Sequence, residues 1–325
     1  MPVTLTEQLD SLYTTTWQLM RKEAIDNIFK ATPFWFWLTA KERRRTEQGG
    51  RWIGVPLEYR KNETVQSFGK GDTISTQDTD PLTMAKYDWK YVAGTIVRYY
   101  QDDQQNRGKA QIMSLAKAKF RNLEQSLIDK LEADLFGDGT GNSGKDIHGL
   151  GLLVSEDGTG VVGGINASTE TWWKNKYKDM TDRAPDTYLL SDMRTMFNDC
   201  SKGNDTPTII VTDQSSYELY EDEVMEQKQI VNKELGDAMF ENILFKGRPL
   251  TWSPSCPAGS MYFLNDRYLE WVADEAINFE MTDWKPAQNN LDRVAQIAVA
   301  GNLICSARSR QGVLFNIGKT TPQGS

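Results

Sequence analysis

Residues 104–139 read QQNRGKAQIMSLAKAKFRNLEQSLIDKLEADLFGDG. Within them Ile112, Leu115, Ala116, Phe120, Leu123, Leu127, Leu131 and Leu135 recur mostly at steps of three and four, the spacing of one helical stripe. Lys117, Arg121, Glu124, Asp129 and Lys130 are left to cover the other side. The pattern predicts the strongest helix in the chain, from about Gln104 to Phe136 and roughly 50 Å long. Gly137 and Gly139 stop it.

Upstream, Leu9, Leu12, Tyr13, Trp17, Leu19, Met20, Ile25, Ile28 and Phe29 predict an amphipathic helix over roughly residues 7–30, ended by Pro33. The aromatic run Phe34 to Leu38, with Trp35 and Trp37, precedes the basic run Lys41 to Arg45. So short an apolar stretch cannot hold a helix on a bilayer, so it reads as a buried or inter-subunit arm. From Gly49-Gly50 the period becomes two, with Ile53, Val55, Leu57 and Tyr59 on one face, and Lys86 to Tyr91 alternates charge with aromatic ring. These runs predict a hairpin whose flexible tip is Lys61 to Thr83. A lone hairpin is marginal in water, so this one is expected to lie on another subunit.

Downstream, Ile147 to Val154 reads extended, and Trp172-Trp173 stands in a run of short apolar stretches. A helix is predicted over Tyr188 to Cys200, then a buried strand at Thr208 to Val211, with Asp213 to Ser216 placed to cap the next helix. Strands at Ser260 to Leu264 and Tyr268 to Val272 flank an Asn-Asp turn, and Val294, Ile297, Val299, Leu303 and Ile304 complete the β content.

Composition narrows the chemistry. Over 325 residues, 37 Lys and Arg against 45 Asp and Glu leave a net charge of −8, unlike a free-standing nucleic-acid binder. Cys200, Cys256 and Cys305 are odd in number and widely spaced, which speaks against disulfides or a zinc site and for a reducing compartment. No apolar run reaches the length of a membrane span, and the first ten residues lack the pattern of a signal peptide. The single histidine, His148, limits metal and triad chemistry. Ten Trp, 12 Tyr and 12 Phe point to large packed or inter-subunit surfaces.

The loop from Gly139 to Asp146 matches the opening of a phosphate-cradling loop, G-x-x-x-x-G-K, ending at Gly144-Lys145. Asp146 stands where a hydroxyl is required, and the loop follows a helix rather than a strand. A nucleotide-dependent enzyme is therefore disfavoured against a plain glycine loop. The acidic clusters Asp102-Asp103, Glu221-Asp222-Glu223 and Asp129, Glu132, Asp134 lack the alternation of a calcium loop and read as solvated faces. No catalytic residues, cofactor or metal are indicated.

The order of these parts is more informative than any one of them. Gly49-Gly50-Arg51-Trp52-Ile53, Asp102-Asp103-Gln104-Gln105-Asn106, Leu135-Phe136-Gly137-Asp138-Gly139, Gly163-Gly164-Ile165-Asn166, Trp172-Trp173-Lys174-Asn175 and Gly259 to Asn265 occur in a sequence that resembles the major capsid proteins of tailed bacteriophages. The resemblance implies an α+β chain with the Hong Kong ninety-seven-type capsid fold. Its parts would be an N-terminal arm at 1–49 and an extended hairpin loop at 50–94. A peripheral domain at 95–184 would carry a spine helix at 104–136, with an axial domain at 185–285 and late peripheral strands and tail at 286–325. It further implies pentamers and hexamers tiling an icosahedral shell around double-stranded DNA in the virion, after synthesis in the host cytoplasm. Scaffolding, portal and decoration proteins would be the other partners. An encapsulin-like compartment is the alternative within the fold. Trp35, Trp37, Arg60, Lys61, Phe68 and Lys70 are the expected assembly contacts. No charged N-terminal region resembles a built-in scaffold, and no Asn and acidic group stand in register with the loop lysines for a cross-link.

Overall fold

The computed structural model describes residues 33–40, 43–73, 80–101, 109–224, 243–288 and 291–319. The helix expected over residues 7–30, Lys41, Ile74 of the hairpin tip, Asp102-Asp103 and the start of the long helix at Gln104 lie outside the described residues.

The first described element is α1 (Pro33–Thr39), with Pro33 at its first position. A proline lacks only an N–H that the first turn would leave unpaired. After β1 (Arg44–Glu47) come the hairpin strands β2 (Ile53–Glu58) and β3 (Leu82–Tyr87), then β4 (Lys90–Arg98). The hairpin register runs from Ile53 opposite Tyr87 to Glu58 opposite Leu82. The alternating run 86–91 thus belongs to two strands, broken at Asp88-Trp89. The hairpin's base also rests on its own chain. Ile53, Val55, Leu57, Ala85 and Tyr87 are buried in the main core, and the Tyr87 hydroxyl donates to the Cys305 carbonyl at 2.7 Å.

The spine helix α2 (Lys109–Phe136) spans 28 residues, about 42 Å. Phe120 and Leu127 pack with Ile96 and Ile297 in one cluster, while Ile128, Leu131, Leu135 and Phe136 join Phe34 and Trp37 in the main core. Gripped on two sides, the helix keeps one exposed face, at Arg121, Asn122, Gln125, Ser126, Asp129, Lys130 and Ala133. Glu124, Glu132 and Asp134, expected on solvated surfaces, are accordingly buried, and only Asp129 of that set is exposed.

Beyond a left-handed turn at Asn142 (φ 50°) and Ser143 (φ 60°), residues Leu150–Leu153 form a helical turn, α3, where an extended segment was expected. Its placement depends on Gly149, where a Cβ would meet the Asp134, Gly137 and Leu135 carbonyl oxygens at 2.3, 2.4 and 2.7 Å. Only a bare backbone fits against the end of the spine. The small ribbon β5 (Val161–Val162) and β6 (Ile165–Asn166) lies beside the hairpin, Gly163 accepting the Lys86 N–H at 2.9 Å. Wholly buried Arg308 ties α3 to the following segment, donating to the Leu153 carbonyl at 2.8 Å and Asn175 Oδ1 at 3.0 Å.

The rest of the chain forms β7 (Lys176–Asp179), α4 (Pro185–Cys200), β8 (Ile209–Thr212), α5 (Gln214–Val224), β9 (Ile243–Phe245), β10 (Arg248–Trp252) and β11 (Met261–Leu264). The long strands β12 (Leu269–Met281) and β14 (Arg293–Cys305) flank short β13 (Lys285–Pro286), and β15 (Gly312–Phe315) comes last. One sheet joins β1, β12 with β13, β14 and β4. The other has the order β7-β15-β11-β8-β10-β9. Both faces of this second sheet are covered, so its strands alternate between cores rather than between core and water. Ile209, Val211, Tyr262, Leu264 and Val313 enter the main core, whereas Ile210, Met261, Phe263 and Leu314 pack under α4 and α5. All three cysteines are buried and unpaired.

Substituting Gly149→Ala should lower stability by about 2 kcal/mol or more, since three carbonyls must move to admit a methyl group. Thermal unfolding measures it, and a melting temperature equal to that of the unaltered protein would show that this close approach is not a constraint.

Candidate assembly surface

The hairpin puts its two faces to different uses. Its inward side chains fill the core, while Leu82 and Met84 are exposed on the outer face beside Trp52, which has Lys86 Nζ 4.9 Å from its ring centroid and the Arg51 guanidinium 5.3 Å away. Beyond the last strand pair, Tyr59 donates its N–H to the Pro81 carbonyl at 3.0 Å. From there the tip leaves the molecule. Local bonds organise it, the Gly69 N–H donating to Asp72 Oδ2 at 2.6 Å and the Thr64 N–H to Asn62 Oδ1 at 2.9 Å.

Four expected contact residues stand on this surface. Arg60, Lys61 and Lys70 are exposed, and Phe68 is 67% exposed near Val65, itself 83% exposed. Two others do not. Trp35 packs edge-on against Trp271 at 5.1 Å, and Trp37 stacks with Phe34 at 6.0 Å beneath the Arg43 guanidinium. Buried in their own chain, the two indoles have almost no surface left for a second copy.

Their segment is held by a group that the sequence placed on a solvated face. Glu132, on the spine, accepts the Trp35 backbone N–H at 3.0 Å and the Ser253 hydroxyl at 2.8 Å. The carboxylate thus occupies the N-terminus of α1, where free N–H groups favour an anion. Burial outweighs those hydrogen bonds and pushes its pKa up to about 7. Glu124 rises to about 7 by burial as well. The available clue was that Glu132 stands four residues after Ile128 and three before Leu135, so it shares a helix face with both.

His148 is also structural. Burial, then the charge of Lys90, lowers its pKa to about 4, so the imidazole is neutral, with Nδ1 3.2 Å from the Asn302 amide nitrogen. The glycine loop does not form a phosphate cradle. Asp146 bridges to Lys130 at 3.2 Å, and a Cβ on Gly141 would lie 2.1 Å from the Asp146 carboxylate, so a negative group already fills the loop's interior. Among the described residues no three His, Cys, Asp or Glu gather as a metal site, and no helix is long and apolar enough to cross a membrane.

No protein-family profile and no curated protein sequence matches the chain. Solved structures do match in shape. A capsid chain of the cyanophage A-1(L) superposes with a TM-score of 0.67 at 15% identity, covering 89% of this chain and 94% of that one. The capsid chain of a native GTA particle gives 0.57 at 8% identity, covering 85% and 89%. The SrpI encapsulin of Synechococcus elongatus gives 0.55 at 11% identity, covering 90% and 91%. The chain therefore has the Hong Kong ninety-seven-type capsid fold of phage major capsid proteins.

The raised acid sets a pH dependence. A folded-state pKa near 7 for Glu132, against an ordinary unfolded value near 4.5, means that the folded chain holds a proton the unfolded chain releases between those values. Stability is therefore greatest below the lower value and falls as pH rises through 7. Glu132→Gln keeps an acceptor for Trp35 and should flatten the fall in melting temperature between pH 5 and 8. Parallel profiles for the two proteins would refute the assignment.

Proposed function

We propose that this chain is the major capsid protein of a tailed phage, a structural subunit whose copies form pentamers and hexamers in an icosahedral head around double-stranded DNA. The observation that carries the reading is the match to the cyanophage capsid chain over nearly the full length of both. The exposed hairpin tip supports it. A projection with Phe68, Val65 and three cations, and little of its own subunit to rest on, suits a contact that is completed only between copies.

In this reading residues 1–49 are the arm, 50–94 the extended loop, 95–184 the peripheral domain with its spine, 185–285 the axial domain, and 286–325 the late peripheral strands and tail. The role is non-catalytic, because the buried ionisable groups serve packing. A net charge of −8 suits a container that holds DNA without gripping its sequence. Scaffolding, portal and decoration proteins complete the assembly, and mature particles are not covalently cross-linked. The encapsulin likeness is retained as the second reading on the SrpI match. The two differ in contents, since a phage head holds DNA and a compartment holds protein cargo.

Negative-stain microscopy of the purified protein tests the shell reading through closed particles or capsomer rings, and a strictly monomeric protein would refute it. The loop assignment has its own test. Joining Tyr59 to Pro81 by Asn-Gly preserves the last strand pair and deletes the tip. The shortened chain should keep its melting temperature and lose closed particles. Normal shells would show that the tip is not the inter-subunit loop, and an unfolded chain would place it in the subunit's own core.

A further inference from the structure

Residues 172–178 read WWKNKYK, the densest interleaving of cations with aromatic rings in a chain that is acidic overall. They run from a 3₁₀ turn into β7, an edge of the six-stranded sheet. Here they line a cleft of about 540 Å³ with Trp172, Lys174, Lys176, Tyr177 and Ser309 on its walls. The frame is rigid. Trp172 lies 5.4 Å from the Trp173 ring and 5.8 Å from Tyr59, its indole N–H donates to Glu170 at 2.7 Å, and Arg308 holds Asn175 from behind. Lys178 is engaged with Asp192 at 2.6 Å. Lys174 and Lys176 have no ion pair among the described residues, and Tyr177 is 51% exposed beside them.

The opposite end of the same sheet carries the opposite charge. Helix α5 lies over β10 and β9, anchored by the Tyr220 hydroxyl donating to the Leu244 carbonyl at 3.2 Å. It presents Glu218 and Asp222, four residues apart on one exposed face, with Glu221 and Glu223 half-buried next to them. The only bond among these acids is the one Glu218 accepts from Gln214 at 2.8 Å, among the described residues. Five strand spacings of about 4.8 Å separate the two ends, so one chain cannot bring them together.

We propose that the cleft at Lys174, Lys176 and Tyr177 receives the acidic face of α5, at Glu218 and Asp222, from a second copy of this chain. A two-fold contact would engage both patches of each copy at once and stop at a closed pair. A head-to-tail contact pairs them, and a rotation that closes such contacts makes a ring. Lysines on an edge strand also discourage strand pairing between molecules, but a glutamate would do that equally well, so reversing the sign separates the two roles. Nucleic acid is the less fitting occupant. The patch offers two unpaired lysines in a molecule of net charge −8, where a phosphate chain would call for a longer cationic track.

The inference rests on the shell reading, and the test is built to distinguish their failures. Full-length protein is compared as wild type, as Lys174→Glu with Lys176→Glu, as Glu218→Lys with Asp222→Lys, and with all four changes together. Each is treated with nuclease, then assayed by sedimentation, negative stain and thermal melting. Both doubles are expected to melt normally but lose rings and closed particles, and the quadruple variant to regain them. Doubles that assemble like wild type overturn the proposal. So does a folded quadruple variant that stays dispersed, or a wild type whose rings vanish with nuclease, which would give the cleft to nucleic acid. Should a reversal unfold, the neutral pairs Lys174→Gln with Lys176→Gln and Glu218→Gln with Asp222→Gln replace it. Each is expected to raise the protein concentration needed for rings, and no rise overturns the proposal. If the wild type forms neither rings nor particles, the shell reading itself has failed.

Discussion

A single buried amide joins three parts of this chain that lie far apart in sequence. Asn302, on β14, accepts the N–H groups of His148 at 3.0 Å and Leu303 at 3.0 Å through its oxygen. Its nitrogen donates to the Asp88 carbonyl at 2.8 Å and faces His148 Nδ1 at 3.2 Å. The side chain is wholly buried with its polar capacity filled, a condition under which losing one partner strands the others in an apolar surrounding. The corner where the hairpin turns into β4, the glycine loop after the spine and the long β14 ladder are thereby fixed relative to one another. The spine's direction, the hairpin's exit angle and the sheet's position follow from that junction.

The sequence made the spine legible because Phe120, Leu127, Leu131 and Leu135 repeat with the period of a helix and pack as that period says. It made the hairpin legible through Ile53, Val55 and Leu57, whose period of two survives in the register. What it hid was anything that depends on a second surface. Glu124, Glu132 and Asp134 look like solvent-facing charge on a helical wheel, since one stripe cannot reveal that another element grips the helix from a different side. Trp35 and Trp37 look like contact residues for the same reason. Exposed aromatics and core aromatics are written with the same letters, and only the fold shows that Trp271 and Phe34 already face them. The strand break at Asp88-Trp89 was masked because the charge and ring alternation carries on across it. Of the expected contact set, the exposed members Arg60, Lys61, Phe68 and Lys70 belong to a stretch whose shortage of apolar residues could be read directly.

The two halves of the molecule differ in how their surfaces are spent. On the spine, Glu124, Glu132 and Asp134 are turned inward, Glu132 accepting from Trp35 and Ser253 and Asp134 from Lys130. At the hairpin tip and at the ends of the six-stranded sheet, side chains of the same kinds are left to water. Under the proposed shell reading, a chain that folds alone and then joins its copies would need this division. Exposed charges contribute little to its own stability, about 0 to 1 kcal/mol each, so they are free to be selected for what they meet outside.

The topology also sets a schedule for synthesis. Strand β15 lies between β7 and β11 inside the six-stranded sheet although it follows both in sequence, and β14 carries the partners of β4 and Tyr87. Neither sheet can close until these late residues have left the ribosome, at translation rates of about 5 to 20 residues per second. Until then the hairpin's inner face has no floor, and the edge of β11 that will pair with β15 is open. A growing chain therefore carries open strand edges and uncovered apolar surface. The order of the strands along the polypeptide acts as a clock that keeps both sheets open until residues 293–315 have been made.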